Sequence, residues 1–203
     1  MARDHSHSPP RPDHPPPQTR HRFLDLALNE LLIERGLYTE AELRDMIASI
    51  DSVDPSTHGA RVVARSWIDA DFRRRLLNDA NAAIADIGMD PGTAQLRVLE
   101  NTPETHNIVV CTLCSCYPRA LLGRPPAWYR DREYRARVVR EPRAVLAEFG
   151  LSLAEEQTVR VHDSTAELRF LVLPERPAGT GHLAESELAG LVTRDGMIGV
   201  AKR

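Results

Sequence analysis

The chain has 203 residues, of which 42% are hydrophobic and 27% charged, enough apolar content for one core. A formal net charge of -3 sets up no overall field toward a polyanion, and no apolar run approaches the roughly 18 residues that a bilayer-spanning helix needs, so nucleic-acid and membrane proteins are poor classes for it. Lys202 is the only lysine among 26 basic residues, and arginine is the better residue for fixed, bidentate pairing with acidic groups.

Residues 1–21, "MARDHSHSPPRPDHPPPQTRH", are rich in Pro and His and have too little apolar content to offset the entropy of ordering, which predicts a disordered tail. His5, His7, His14 and His21 in it could catch metal adventitiously. The segment has no apolar core of a secretory leader, so a cytoplasmic protein is expected. Three cysteines, an odd number, in a reducing compartment argue against a disulfide framework and for metal binding or thiol chemistry.

From Arg22 the pattern turns helical. Leu24, Leu28, Leu31 and Leu32 recur at helical spacing, and Gly36 marks the end of that helix. Thr39 and Glu42 form a capping box that opens a second helix through about Ile50. Asp69 is placed to cap another, in which Phe72, Leu76, Ala80, Ala83, Ile84 and Ile87 share one face until "GMDPG" at 88–92 ends it. Residues 22–90 therefore read as a helical arm with few large apolar groups, expected to lie against something else.

Residues 91–203 read differently. "QLRVLE" at 95–100 and "HNIVVC" at 106–111 are short β-branched runs, and "TVRVHD" and "ELRFLVL" further on alternate like half-buried strands. Between these pairs lie the helical stretches "PPAWYRDREYRARVV" and "PRAVLAEFG", and "AESELAGLVTRD" closes the domain as one more helix. The expected class is α+β: an N-terminal helical arm, then a layered domain of helices on sheet carrying a cysteine loop at a strand end.

All three cysteines fall in "CTLCSC", 111–116, directly after a predicted strand. Loops held on a rigid scaffold are where functional groups are mounted. Three readings compete. A structural zinc site needs four ligands, and the nearest candidate for a fourth, His106, lies back on the strand. A redox CxxC pair leaves the third cysteine without a purpose. In a compact single-metal site, Cys111, Cys114 and Cys116 contribute sulfur, while deprotonated amide nitrogens in the Cys114-Ser115-Cys116 segment complete a plane and one octahedral position stays open. Such a donor set favours a strongly polarising transition-metal ion.

"VCTLCSCYP" at 110–118 resembles the metal-binding motif of the nitrile hydratase α subunit and its close relative, the thiocyanate hydrolase γ subunit. The similarity extends through "LENTPETHNIVVCTLCSC", "PPAWYRDREYRARVVREPRAVLAEFG", "VHDSTAELRFLVLPERPAG" and "LVTRDGMIG", from about residue 22 onward. It implies a low-spin Co(III) or Fe(III) ion held by Cys111, Cys114 and Cys116 and by the main-chain nitrogens of Ser115 and Cys116. Cys114 would be matured to sulfinic acid and Cys116 to sulfenic acid, with Thr112 favouring cobalt over iron. The implied reaction adds water to a nitrile to give the amide, with either metal-activated water or the Cys116 sulfenate oxygen as nucleophile. Implied partners are a β-type subunit, embraced by the arm and supplying two arginines to the oxidised cysteines, and an activator or chaperone for cobalt loading. A non-catalytic, metallochaperone-like cobalt subunit is the reading from another class.

Two departures bear on the substrate. Most family members carry Trp-Pro after the Tyr-Pro of the motif, where this chain has Arg119-Ala120, which opens space and adds charge near the metal. A bulky, polar nitrile of heteroaromatic or nucleoside type is expected, in a three-polypeptide variant of the enzyme. The family also places a glutamine in the pocket; Gln95 is the nearby candidate, although the register puts Gly92 at that place. Eight arginines in 119–143, interleaved with Trp128, Tyr129 and Tyr134 and interrupted by Asp131, Glu133 and Glu141, read as a brace for the metal loop and subunit interface rather than a nucleic-acid patch. His162, Asp163 and Ser164 include hydrolytic-triad residue types, but strand neighbours point to opposite faces, so they read as structural.

Overall fold

A computed structural model describes residues 19–54 and 57–202. The expected tail lies outside the described residues, His5, His7 and His14 with it, except that its last three positions open the first helix.

Helix α1 (Thr19–Glu34) ends as the glycine signal predicts: Gly36 takes φ 66°, and the amides of Gly36 and Leu37 reach back to the carbonyls of Ile33 and Leu32. Helix α2 (Glu40–Asp51) opens with the full capping box: the Glu42 amide donates to the Thr39 hydroxyl at 3.1 Å and the Thr39 amide to the Glu42 carboxylate at 2.7 Å. Donation from the Thr39 amide, then from the Thr39 hydroxyl at 2.9 Å, holds the Glu42 carboxyl below its usual range. Neither helix buries a described side chain.

Helix α3 (Gly59–Ile68) turns the chain into the core with Val62, Val63 and Ala64 fully buried. The single helix expected from Asp69 to Ile87 is two: α4 (Ala70–Asn78) and α5 (Ala80–Asp86). Asp69 caps α4 through the Phe72 amide, and Asp79, in extended conformation, caps α5 through the Ala82 amide at 3.1 Å. The apolar period runs through the break because both helices lay Phe72, Leu76, Ala80, Ala83 and Ile84 on one core, and periodicity alone does not register a mid-run aspartate that prefers to cap.

The four strands fall where expected, within a residue: β1 (Gln95–Glu100), β2 (Thr105–Val110), β3 (Thr158–Asp163) and β4 (Leu168–Leu173). They make two parallel pairs, β1 with β4 and β2 with β3, and β2 also lies against β4. Parallel pairing needs a long crossover, and the chain from β2 to β3 supplies it with α6 (Arg119–Leu122), a 3-10 turn at Trp128–Arg130, α7 (Arg132–Val138) and α8 (Pro142–Glu148). The helix expected over 125–139 is thus interrupted by Asp131, which caps α7 through the Glu133 amide. The closing helix expected over 184–195 also divides, into α9 (Glu185–Ala189) and α10 (Arg194–Ile198), because Gly190 weakens its middle and Thr193 caps a new start through the Gly196 amide.

Buried residues of both strand pairs, among them Val98, Ile108, Val110, Leu171 and Leu173, form one core with Leu146, Leu188, Met197 and Ile198. The α+β class read from the sequence holds. Gly199 seals the end of α10 over β2: it sits at φ 92°, and a Cβ there would come within 2.0 Å of the Asn107 carbonyl oxygen.

Candidate metal centre

Strand β2 delivers the cysteine loop. Ile108 to Val110 are buried, Cys111 is fully buried at the strand's end, and the chain then leaves the sheet so that Cys116 is half-buried and Cys114 exposed. The turn brings all three sulfurs within 4.8 Å of one another, with Cys111 Sγ to Cys114 Sγ at 3.6 Å and Cys114 Sγ to Cys116 Sγ at 3.3 Å. The Cys114 amide donates to Cys111 Sγ at 3.3 Å, so the first turn of the loop is organised around sulfur.

The loop is held from both sides. Asp163, at the end of β3, accepts from the Thr112 amide at 2.9 Å and from the Thr112 hydroxyl at 2.5 Å. From α7, Arg135 Nη1 donates to the Thr112 carbonyl oxygen at 2.9 Å. The Tyr129 hydroxyl donates to the Cys116 carbonyl oxygen, and the Tyr134 hydroxyl to that of Val109. Edge-to-face contacts of Tyr129, Tyr134 and Phe149 with Trp128, at 5.9, 5.0 and 4.8 Å between centroids, lock these two tyrosines in place. Of the arginines in 119–143, Arg135 reaches the loop, while Arg137 pairs with Glu141 and Glu148 and Arg143 bonds to the carbonyls of Ala154 and Glu155.

The thiols are electrostatically unequal. Burial, then the hydrogen bond to Cys114, pushes the Cys116 thiol up to about 12, against a smaller pull downward from the Arg169 guanidinium. At Cys114, burial acts upward but is outweighed by hydrogen bonds from the Cys116 side chain, the Ser115 amide and Cys111, and the net direction is down. The three sulfurs make a good chelate: three soft donors converge on one point, as a transition-metal ion requires. Among the described residues no His, Asp or Glu joins this cluster, so the fourth ligand of a closed zinc tetrahedron is not at hand. His106 is occupied at the other end of β2, bonded to Gly199 and Asn101.

Cys114, Ser115 and Cys116 line a cavity of about 520 Å³, with Met46 and Ile50 of α2 on one side and Arg119 and Arg169 also on its wall. Arg119 is among the residues that line this cavity, as is Gly92, whereas Gln95 lies at the start of β1 on a separate cavity with Leu76, Asp79 and Arg97. Two further residues belong to the site: Asp163 braces Thr112, and Arg169 brings a guanidinium whose buried Nη1 has no hydrogen-bond partner among the described residues. Only the pairing of β3 beside β2 puts Asp163 next to the loop, which no local signal announces.

A sequence model described as nitrile hydratase, alpha chain, matches residues 20–201. The chain belongs to the nitrile hydratase α-chain family. It is 49% identical over 177 residues to the alpha subunit of the high-molecular weight cobalt-containing nitrile hydratase of Rhodococcus rhodochrous, covering 86% of this chain and 87% of the relative. Identity is 47% to the cobalt-containing nitrile hydratase alpha subunit of Pseudonocardia thermophila, with 86% of each chain covered, and 42% to the thiocyanate hydrolase gamma subunit of Thiobacillus thioparus, covering 88% and 78%. Among solved structures, a recombinant thiocyanate hydrolase with partially modified cobalt centres superposes at TM-score 0.84 and 41% identity, over 91% of this chain and 90% of that one. A double mutant of the Fe-type nitrile hydratase of Comamonas testosteroni Ni1 gives 0.83 and 41%, over 92% of both. The family thus spans cobalt and iron members, and its fold is the one described above. No helix among the described residues is long and apolar enough to cross a membrane.

Proposed function

We propose that this chain is the metal-binding α subunit of a cobalt nitrile hydratase, in which water adds across a C≡N bond: oxygen bonds to the nitrile carbon, and both protons of the water end on nitrogen. The observation that carries the reading is the convergence of three sulfurs on one braced loop at the mouth of a cavity. The sulfurs of Cys111, Cys114 and Cys116 and the main-chain nitrogens of Ser115 and Cys116 would hold the ion. When bound, trivalent cobalt supplies Lewis acidity toward the nitrile and its attacking water. The printed names of two cobalt-containing relatives, and Thr112, support cobalt over Fe(III).

The chain's own side chains do the rest. Asp163 and Arg135 fix the Thr112 peptide from opposite sides, so the sulfurs stay aimed at one point without the ion's help. Tyr129 holds the Cys116 carbonyl and keeps the last ligand from swinging out. Arg169 on the cavity wall attracts negative charge at Cys116.

A β-type subunit or subunits complete the enzyme, in this reading supplying arginines to the matured sulfinate and sulfenate oxygens, and an activator loads the cobalt. The exposed apolar side chains of α1, Phe23, Leu24, Leu26, Leu28 and Leu31, support a docked partner. The size of the cavity and Arg119 on its wall support a bulky heteroaromatic or nucleoside-type nitrile.

Co-expression with the β-type partner in cobalt medium, followed by metal analysis, intact mass and amide detection, tests this. One cobalt per chain, roughly three added oxygens on the peptide of Cys111 to Cys116, and amide from nitrile are expected. An unoxidised peptide in an active preparation overturns the assigned centre. Higher rates on acrylonitrile than on a nucleoside nitrile remove the substrate reading alone. The second reading, a thiocyanate hydrolase γ subunit, is favoured by the 42% identity to that relative, and carbonyl sulfide released from thiocyanate decides for it. Cobalt uptake and transfer without turnover of either substrate decides for a metallochaperone-like subunit.

A further inference from the structure

Helix α2 belongs to the exposed arm, yet one of its faces looks into the chemistry. Met46, Ser49 and Ile50, at helical spacing, and Val53 just beyond the helix line the same cavity as Cys114 and Cys116. Ile47 is on α2 as well but is not part of that lining. An exposed ion pair from Arg124 to Asp51, at 2.5 Å, links the end of α2 to the segment after α6. Met46 remains 60% exposed although it borders the cavity, so its thioether side chain is not spent on the chain's own core.

We infer that Met46 and Ile50 of the arm are the specificity-determining wall for the organic group of the substrate, an inference that rests on the hydratase reading. The cysteines fix where the C≡N group must sit, and Met46 and Ile50 line the same cavity of about 520 Å³, so a group longer than that of a small nitrile is the one expected to reach them. A larger group extends to α2 and meets an apolar, adaptable thioether and a β-branched side chain. Apolar contact of this kind discriminates substrates by about 10- to 200-fold for each methylene-sized difference. The arm would then do two things: present α1 to a partner, and bring the far wall of the active site through α2.

The test uses the cobalt-loaded complex with its β-type partner, carrying Met46→Ala, Met46→Leu or Ile47→Ala. Steady-state kcat/KM is measured for acrylonitrile and for 3-phenylpropionitrile, together with cobalt content and the calorimetric Kd of 3-phenylpropanamide. Met46→Ala is expected to lower kcat/KM for the aryl nitrile and weaken the amide by about tenfold, with acrylonitrile and cobalt content unchanged. Met46→Leu restores both, and Ile47→Ala changes neither. An unchanged ratio of the two nitriles in Met46→Ala, or an equal shift in Ile47→Ala, overturns the inference while leaving the hydratase reading intact. If the loaded complex hydrates neither of these nor a nucleoside nitrile, the hydratase reading fails, and the amide Kd still decides the wall: no difference between Met46→Ala and the parent removes it.

Discussion

Helices α1 and α2 come from the same helical stretch as α3, α4 and α5, but the two groups use their apolar residues in opposite ways. In α1, Phe23, Leu24, Leu26, Leu28 and Leu31 stand 45% to 66% exposed, whereas six of the ten residues of α3 are buried and Phe72 and Leu76 of α4 are sealed off from solvent. Apolar content along a helix therefore does not say where it is buried. The second group is part of a self-sufficient core that holds the sulfur loop; the first has a surface to be completed from outside.

The largest effect expected separates the loop from both groups. Cys114→Ala removes the central sulfur of the three, so metal and activity should disappear together while the far-ultraviolet circular dichroism of arm and body is unchanged. Retained stoichiometric cobalt in that variant would break the link between loop and function. Next in size is the contrast itself. Phe72→Ala should cost about 3–5 kcal/mol in urea unfolding of the isolated chain, because it empties a sealed core position. Leu28→Ala, 53% exposed in α1, should stay within about 0.5 kcal/mol. In the assembled complex the order should shift, with Leu28→Ala weakening association with the partner; equal costs in the isolated chain would show that the arm packs on its own body.

A smaller effect tests the brace. Asp163→Asn keeps one acceptor for the Thr112 amide or hydroxyl but not two charged ones. Cobalt affinity should fall by about 10- to 100-fold, as for other partners that orient metal ligands, with unfolding free energy nearly unchanged. A fall in stability equal to the fall in affinity would make Asp163 a fold residue only.

How far the sequence foretold this follows the range of each interaction. The capping box at Thr39, the glycine stop at Gly36 and the four strands are local signals, and they appear within a residue of their expected places. Cys111, Cys114 and Cys116 are close in sequence, so their meeting in space needed only a tight turn. The helix breaks at Asp79 and Thr193 are hidden in the sequence because the hydrophobic period runs on through the residues that cap. Asp163 and Arg169 are hidden for a different reason: each reaches the loop or its cavity from another strand, and the parallel order that puts β3 beside β2 and β4 beside β1 is not written in any short window. Gln95 shows the same limit, since the first strand residue faces another cavity than Gly92 three positions earlier.

The smallest effect is a pH dependence lodged in the body and absent from the arm. His106 is buried near the start of β2, and its Nε2 donates to the Gly199 carbonyl oxygen at 2.7 Å. Its Nδ1 accepts from the Asn101 side-chain amide at 3.2 Å. Asn101 cannot turn its oxygen toward the ring instead, because that oxygen accepts from the Asn107 amide and the Asn107 side chain. A proton on Nδ1 would therefore face a donor, and burial, the larger cause, depresses the pKa further. With the folded value below the ordinary one of about 6.5, the unfolded chain takes the proton first. Stability from His106 is thus fully present above about pH 6.5 and declines as pH falls toward the folded value, by at most about 1.4 kcal/mol per pH unit. His162, lowered first by burial and then by Arg160 and Arg97, contributes in the same direction. Urea unfolding of the isolated chain at pH 7.5, 6.5 and 5.5 should show the decline, and His106→Gln should reduce its slope while lowering stability at pH 7.5. An equal slope in parent and His106→Gln would mean that the dependence does not lie in His106.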